Sequence, residues 1–407
     1  MPQSSPSPVL LFYDRGSSMP RKKHPWYRSR GYLHFDSPVG YVQAKNLVSC
    51  QKSVASHSFY PLITYQITTS KIKRCKESGV LIKKEKERPI AFASHLDSHI
   101  YSYYSLLLGH LYELAIAKRG IDKSVLAFRA LDKSNIDFAA DAFERIRQKG
   151  NCSAVALDVS GFFDNLNHDY LKRAWRELLG IERLPDDHFA VFKSLTQFSL
   201  VDREKLYETI GLSKNNKKKG IFRICTPEEF RSKVRGGGLV QTNKLTKGIP
   251  QGTPISALLS NIYMIDFDFL MCKTMNSLGG DYFRYCDDML FIVPTEERNK
   301  IAGFVKQNVQ NIHIDINTDK TEIRTFSVDS FGNQTSDKPL QYLGFTFDGQ
   351  RTLLRSASLA RYSDRMKRGV RFAKATMRKR NKCKAIRGEA PTALYTRKLY
   401  ARYTHLG

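Results

Sequence analysis

The sequence predicts a mixed α+β fold built from two or three subdomains. Three observations carry that expectation. The chain has 407 residues, more than one core usually serves. Segments of helical periodicity are interspersed with short apolar runs of strand length. Several of those runs end on acids or on Gly-containing turns, the punctuation of sheet edges and hairpins. A hydrophobic share of 41% supports a folded chain.

The elements follow in chain order. Residues 1–18 are rich in Ser and Pro and read as disordered or extended, with Met19 a possible alternative start. Basic and aromatic residues then mix: Arg21, Lys22, Lys23, His24, Trp26, Tyr27, Arg28, Arg30 and Tyr32. Such a mix suits phosphate contact with base stacking, or an arm whose aromatics pack on the body. The pattern from Ile100 to Arg119 predicts a helix stopped by Gly120, and Asn135 to Gln148 a second, with Gly150 beyond its end. Cys152 to Leu157 reads as a buried strand ending on Asp158. The next helix is capped near Asn167 and carries Tyr170, Leu171, Trp175 and Leu178 inward. Residues 200–245 look polar and irregular, holding Lys214, Lys217, Lys218, Lys219 and Gly236-Gly237-Gly238. Thr253-Pro254 opens a long helix to about Met275, and Tyr282 to Val293 reads as two strands joined at Cys286-Asp287-Asp288. A helix from about Glu297 to Val309, two strands, and a hairpin from Leu340 to Arg355 turning at Asp348-Gly349 come next. Residues 351–407 are mainly helical. No internal repeat is present.

Charge narrows the partner. Sixty-six Lys and Arg against 39 Asp and Glu give +27, which points to a polyanion, nucleic acid first and anionic membrane second. No apolar run approaches 18 residues and no signal-peptide pattern is seen, so no membrane span is expected. Residues 351–407 hold 17 Lys and Arg against Asp364 and Glu389, a net +15 that leaves +12 for the rest. The seven cysteines form no C-x-x-C pair and no disulfide framework, which fits a reducing cytoplasm without a zinc site.

Three segments can carry chemistry. Tyr285-Cys286-Asp287-Asp288 sets two adjacent acids between apolar strands, costly to bury unless a cation neutralises them, or else a solvated turn. Leu157-Asp158-Val159-Ser160-Gly161-Phe162-Phe163-Asp164-Asn165 places another acid at a strand end. If the strands lie side by side, Asp158 and Asp287 converge, and carboxylates suit magnesium. Two such ions about 4 Å apart can activate a 3′-hydroxyl and stabilise leaving pyrophosphate. Lys247-Gly248-Ile249-Pro250-Gln251-Gly252-Thr253-Pro254 is a tight loop before a helix. It can approach a nucleotide closely, or be an ordinary helix-leading loop.

In this order the three segments resemble motifs A, B and C of the reverse transcriptase palm. The phrases Gly161 to His168 and Gly248 to Ser256, followed by Leu258-Leu259-Ser260-Asn261, are similar to those of group II intron and retron enzymes. Asp319-Lys320-Thr321 resembles motif D, and Gln341-Tyr342-Leu343-Gly344-Phe345 motif E. The resemblance spans roughly residues 80 to 350. It implies a right-hand polymerase: fingers over 19–150 with the N-terminal arm, palm over 151–350 with a fingers-like insertion near 200–245, and a basic helical thumb over 351–407.

The resemblance also implies roles. Asp158 and Asp287 would bind two Mg2+ ions (Mn2+ a substitute), with Asp288 supporting and the Val159 carbonyl completing the shell. Phe163 would be the steric gate against a ribose 2′-hydroxyl, and Gln251 would line the nucleotide pocket. Lys320 would protonate pyrophosphate or act only as a charge partner. Arg129 and Lys133 would clamp the triphosphate, with a structural salt bridge as the rival for each. The implied activity is RNA-directed DNA synthesis from dNTPs, with an RNA template and a cDNA product. RNA-directed RNA synthesis and a non-catalytic RNA-binding palm are the alternatives. The Tyr-Cys-Asp-Asp box and the phrase Arg30-Gly31-Tyr32-Leu33-His34-Phe35-Asp36 look most like single-protein bacterial antiphage-defence enzymes, which work with a structured non-coding RNA. No appended RNase H domain and no zinc endonuclease pattern are seen.

Overall fold

In a computed structural model, residues 24–74, 79–213 and 220–404 are described. The 1–18 segment, Arg21, Lys22, Lys23, Lys214, Lys217, Lys218 and Lys219 lie outside those residues. The expected α+β class is what the chain adopts. It divides into two compact units. One comprises residues up to Leu131 with Val155–Thr321, the other Asp132–Ala154 with Glu322–Gly407.

The first unit carries two sheets. β1 (Leu62–Arg74) and β2 (Leu81–Phe92) pair antiparallel from Ile63 against Phe92 to Arg74 against Leu81. β3 (Cys152–Asp158) enters the unit at Val155. β4 (Ser199–Asp202) runs parallel to β1, and β5 (Gln241–Thr242) closes that first sheet in the order β2-β1-β4-β5. β6 (Asp281–Tyr285) and β7 (Asp288–Val293) form an antiparallel hairpin, with β7 between β6 and β3. β7 is buried from Met289 to Val293, while β6 is the edge strand of this sheet.

A 24-residue helix, His95–Lys118, buries Ile100, Tyr104, Leu108, Tyr112 and Ile116. Its start lies five residues before the expected Ile100, because two side chains cap it. Ser94 accepts from the Asp97 N–H, and the Asp36 carboxylate accepts from the His95 and Leu96 N–H groups at 2.9 Å. Trp26 and Tyr27 pack on this helix, Tyr27 stacking on His99 at 4.9 Å. The second of the two arm readings is therefore the one seen for these aromatics. Asn167 caps the helix His168–Leu179 by accepting from the Tyr170 N–H at 2.9 Å. Tyr170, Leu171 and Trp175 are buried as expected, and Leu178 is half-buried.

Two expectations need correction. Residues 200–245 are not irregular: β4, the helix Arg203–Ile210, a turn of helix from Pro227 and β5 lie there. Leu206, Ile224, Phe230 and Val234 join Leu33, Phe35, Ile63 and Val201 in one buried cluster. These elements are too short for periodicity to show. The long helix expected to Met275 is two helices, Ser256–Tyr263 and Ile265–Ser277, with Met264 at φ −91°, ψ 0° between them.

The second unit contains the helix Asn135–Lys149, held at its start by the reciprocal Ser134–Asp137 capping box. β8 (Glu322–Val328) pairs antiparallel with β9 (Gln334–Ser336). The expected hairpin at Leu340–Arg355 is a three-stranded meander: β10 (Leu340–Tyr342), β11 (Phe345–Phe347) and β12 (Thr352–Leu354). Leu343 and Gly344, at φ 46° and 96°, make the extra turn that the periodicity hid. Phe347 stacks on Phe143 and Phe326 to form this unit's core. The helix Ser356–Ile386 has no buried residue, and the helix Thr396–Tyr403 lies against it, Tyr362 donating to the Tyr403 carbonyl at 2.6 Å. No helix among the described residues is long and apolar enough to cross a membrane.

Candidate active site

The site begins with two backbone ends that meet. The Val159 N–H donates to the Asp287 carbonyl at 3.1 Å, so the end of β3 lies against the β6–β7 turn. Asp158 and Asp287 are 129 positions apart, so no local signal shows this; adjacent strands bring them together. Tyr285 pairs with Asp288, leaving Cys286 and Asp287 as the two-residue turn. Cys286 takes φ 62°, a left-handed conformation that costs a non-glycine residue about 1 kcal/mol or more. Burial, and then the neighbouring Asp287, push the Cys286 thiol up, so it stays protonated. Asp287 is half-buried and Asp288 exposed.

A third strand end completes the frame. Asn317 donates its N–H to the Asp158 carbonyl at 2.7 Å, and Ser160 donates to the Asp315 carbonyl at 2.8 Å. Val159 lies between those two bonds and pairs with Ile316, so its carbonyl is outside the pairing. The turn Thr318–Lys320 follows, and the Lys320 ammonium reaches the Asp158 carboxylate at 2.5 Å.

The Gln251 loop is fixed to the same frame. Gly248 and Ile249 donate N–H groups to the Leu166 and Phe163 carbonyls at 2.8 and 2.9 Å. Lys247 donates to Asn165 at 2.9 Å, and His168 Nε2 to the Gly248 carbonyl at 2.7 Å. Burial holds His168 below its ordinary value and Asp164 above its own. Gly248, at φ 90°, has the Asp164 carbonyl 3.0 Å from where a Cβ would stand. Gly252 is tighter: at φ 116°, a Cβ would lie 2.5 Å from the Ala91 carbonyl. The Gln251 carbonyl accepts from the Ala91 N–H at 2.8 Å, so the loop rests on the end of β2. The Gln251 side chain is exposed and Phe163 half-buried.

Arg129 and Lys133 are engaged elsewhere. Arg129 grips Glu113 through Nε and a terminal nitrogen, at 2.9 and 2.7 Å. Its other terminal nitrogen donates to the Asp122 and Val125 carbonyls, and its side chain is only 5% exposed. Lys133, in the second unit, pairs with Asp141 at 2.7 Å. The Arg129 guanidinium is nearly buried in its pair, whereas the Lys133–Asp141 pair stands exposed to solvent.

Sequence reasoning missed the support behind the turn. Arg284 is fully buried, and its guanidinium holds Asp268 at 2.7 and 2.6 Å, Asn261 at 3.1 Å and the Cys286 carbonyl at 3.2 Å. Tyr282 donates to the same Asp268 at 2.8 Å. Burial alone would lower the Arg284 guanidinium, but Asp268 outweighs it and the net direction is up. The signal open to sequence reasoning was Asp268, an acid set between Phe267 and Phe269 in its helix.

The donor set fits a hard divalent cation: carboxylates from Asp158, Asp287 and Asp288 with a backbone carbonyl of Val159. Among the described residues, no three His, Cys, Asp or Glu side chains are already gathered as a metal cage. Asp158 is instead turned to Lys320.

No curated protein matches the chain. Among solved structures, it is similar to apo telomerase from Candida tropicalis truncated from its C-terminal domain, at 12% identity over 72% of this chain and 57% of that one, TM-score 0.44. It is also similar to apo telomerase from Candida tropicalis (13%, 78% and 54%, TM-score 0.41). A third is telomerase from Candida albicans in complex with a TWJ fragment of telomeric RNA (11%, 72% and 46%, TM-score 0.41). The chain spans about half the length of these proteins, and likenesses this distant carry no functional argument. Residues 175–347 match the family model for reverse transcriptase (RNA-dependent DNA polymerase), a stretch that includes Gln251 and the Tyr285–Asp288 turn and begins after Asp158. Over residues 175–347, then, the chain is similar to the reverse transcriptase family.

Proposed function

We propose that this chain copies RNA into DNA, with Asp158, Asp287 and Asp288 as the metal-holding carboxylates of the reaction. The observation that carries the reading is the Val159 to Asp287 backbone bond, which seats two acids from distant segments on adjacent strand ends beside the Gln251 loop. Enzymes of the reverse transcriptase family generally depend on divalent metal. Magnesium is the ion proposed here, with manganese as a substitute. Bound at these oxygens, two such ions supply activation of the primer 3′-hydroxyl and neutralisation of charge on the leaving pyrophosphate.

The chain's own residues do the positioning. Arg284 and Asp268 hold the turn that presents Asp287. Phe163, five residues after Asp158 in the short helix Phe162–Asn165, would lie beneath the incoming sugar, while the exposed Gln251 would offer an amide to the nucleotide. The 17 basic residues of 351–407 supply cation for a nucleic-acid backbone. The finer placement rests on sequence resemblance: a cytoplasmic bacterial enzyme that copies a partner non-coding RNA in antiphage defence.

Primer extension by the purified chain on an RNA template tests the reading. With deoxynucleotides, extension is expected; with ribonucleotides, little. Phe163→Ala should admit ribonucleotides, and unchanged sugar discrimination would remove the gate role. Preferential ribonucleotide use by the unaltered chain would favour RNA synthesis instead.

A further inference from the structure

The Lys320–Asp158 ion pair joins residues 162 positions apart and stands at the rim of the candidate site. Its two members differ in solvation. The Lys320 side chain is 50% exposed and that of Asp158 only 14%. Asp158 has therefore given up most of its water while facing a turn that carries two further acids. Such a carboxylate needs a positive partner, or its charge is held at a cost.

The loop that brings the ammonium does not depend on it. Backbone bonds fix that loop: Asn317 N–H to the Asp158 carbonyl, Ser160 N–H to the Asp315 carbonyl, and Lys320 N–H to the Asn317 carbonyl at 3.1 Å. The side chain has solvent on its flank and four methylene groups on which to swing. It can leave Asp158 without unfolding anything. An ammonium nitrogen 2.5 Å from Asp158 Oδ2 also occupies the space a hard cation needs, since magnesium sits about 2.0–2.1 Å from its oxygens.

We propose that Lys320 is a resident counter-cation, holding Asp158 while no metal is bound, so that metal and ammonium exclude one another at Asp158 Oδ2. The proposal rests on the reading of Asp158 as a metal ligand. Metal entry is then an exchange of one positive group for another. The carboxylate stays ordered and compensated between turnovers, and metal affinity in the absence of nucleotide is held down by the competitor.

The test is a manganese titration of the full chain, followed by electron paramagnetic resonance at low salt, with no nucleotide or nucleic acid present. Lys320→Gln should bind manganese about 3- to 10-fold more tightly than the unaltered chain. Lys320→Arg, which keeps a cation, should remain near the unaltered affinity. Asp158→Asn should remove the site in either background. A second readout follows Lys320 itself: its acylation by an amine-directed reagent, read by peptide mass spectrometry, should speed up when magnesium is added. Equal manganese affinity in the unaltered chain and Lys320→Gln, with Asp158→Asn still abolishing binding, overturns the exchange and leaves the metal-ligand reading standing. Binding that Asp158→Asn leaves untouched overturns that reading and the exchange with it.

Discussion

Arg284 and Asp268 are 0% and 1% exposed, whereas Lys320 and Asp158 are 50% and 14% exposed, although both pairs belong to the same unit and serve the same acidic turn. The first pair is sealed by Tyr282, Asn261 and the Cys286 carbonyl, so every charge has a fixed partner. The second has water along one side. A charge pair in the interior builds a surface, because neither member can be removed without stranding the other. A pair at a half-wet rim can be exchanged, because solvent and incoming ions compete for both members. Fixed support behind the turn and an exchangeable partner in front of it are what a site needs if cations must come and go over a rigid floor.

The comparison can be broken at several points. Arg284→Met should cost about 3–5 kcal/mol of stability, because Asp268 is left buried and alone. Urea unfolding measures it, and a cost below about 1 kcal/mol would place Arg284 with the exchangeable pairs. Acid should act on the same interior. His34 is fully buried, its Nδ1 accepting from the Phe35 N–H at 2.9 Å, and burial pushes it down to about 4. The unfolded chain therefore binds the proton more readily than the folded one. This contribution is fully present above about pH 6.5 and is lost as pH falls through about 4, a change of about 3 kcal/mol. Unfolding midpoints at stepped pH, compared with those of His34→Gln, would reveal it, and identical pH slopes would dismiss it.

Gly252→Ala should cost about 1–3 kcal/mol, since the new methyl meets the Ala91 carbonyl and φ 116° is strained for any side chain. Because this loop leads the Gln251 segment, primer extension should fall further than stability does, and an unaffected extension rate would detach the loop from the site. At the small end, Lys320→Gln should change metal-free stability by under about 1 kcal/mol. A loss comparable to that of Arg284→Met would mean the rim pair is a structural pair after all.

Much of this was legible because local rules dominate where the sequence is most punctuated. Asn167 sits at a helix start and caps it, as its place before the apolar pattern indicates. The apolar run to Asp158 is a strand, and the acids of the Tyr285–Asp288 segment sit at a hairpin. What escaped was set by tertiary contact. The break at Met264 has no local breaker. The elements between 199 and 242 are too short to show a period, and their shared core forms only once Leu33 and Phe35 arrive from far along the chain. Arg284 looked like one more member of a basic composition, and only the burial of its strand face turns it into the brace of the turn. Arg129 illustrates the converse: a residue chosen by resemblance is found with its guanidinium already filled by Glu113 and two carbonyls.

The central claim is that Asp287 and Asp288, presented by this braced turn beside Asp158, carry nucleotide addition. Primer extension by the Asp287→Ala, Asp288→Ala double variant on an RNA template measures it most directly, with RNA affinity and unfolding followed on the same sample. The account predicts that extension disappears while RNA binding and the fold persist. Extension at the unaltered rate would contradict it.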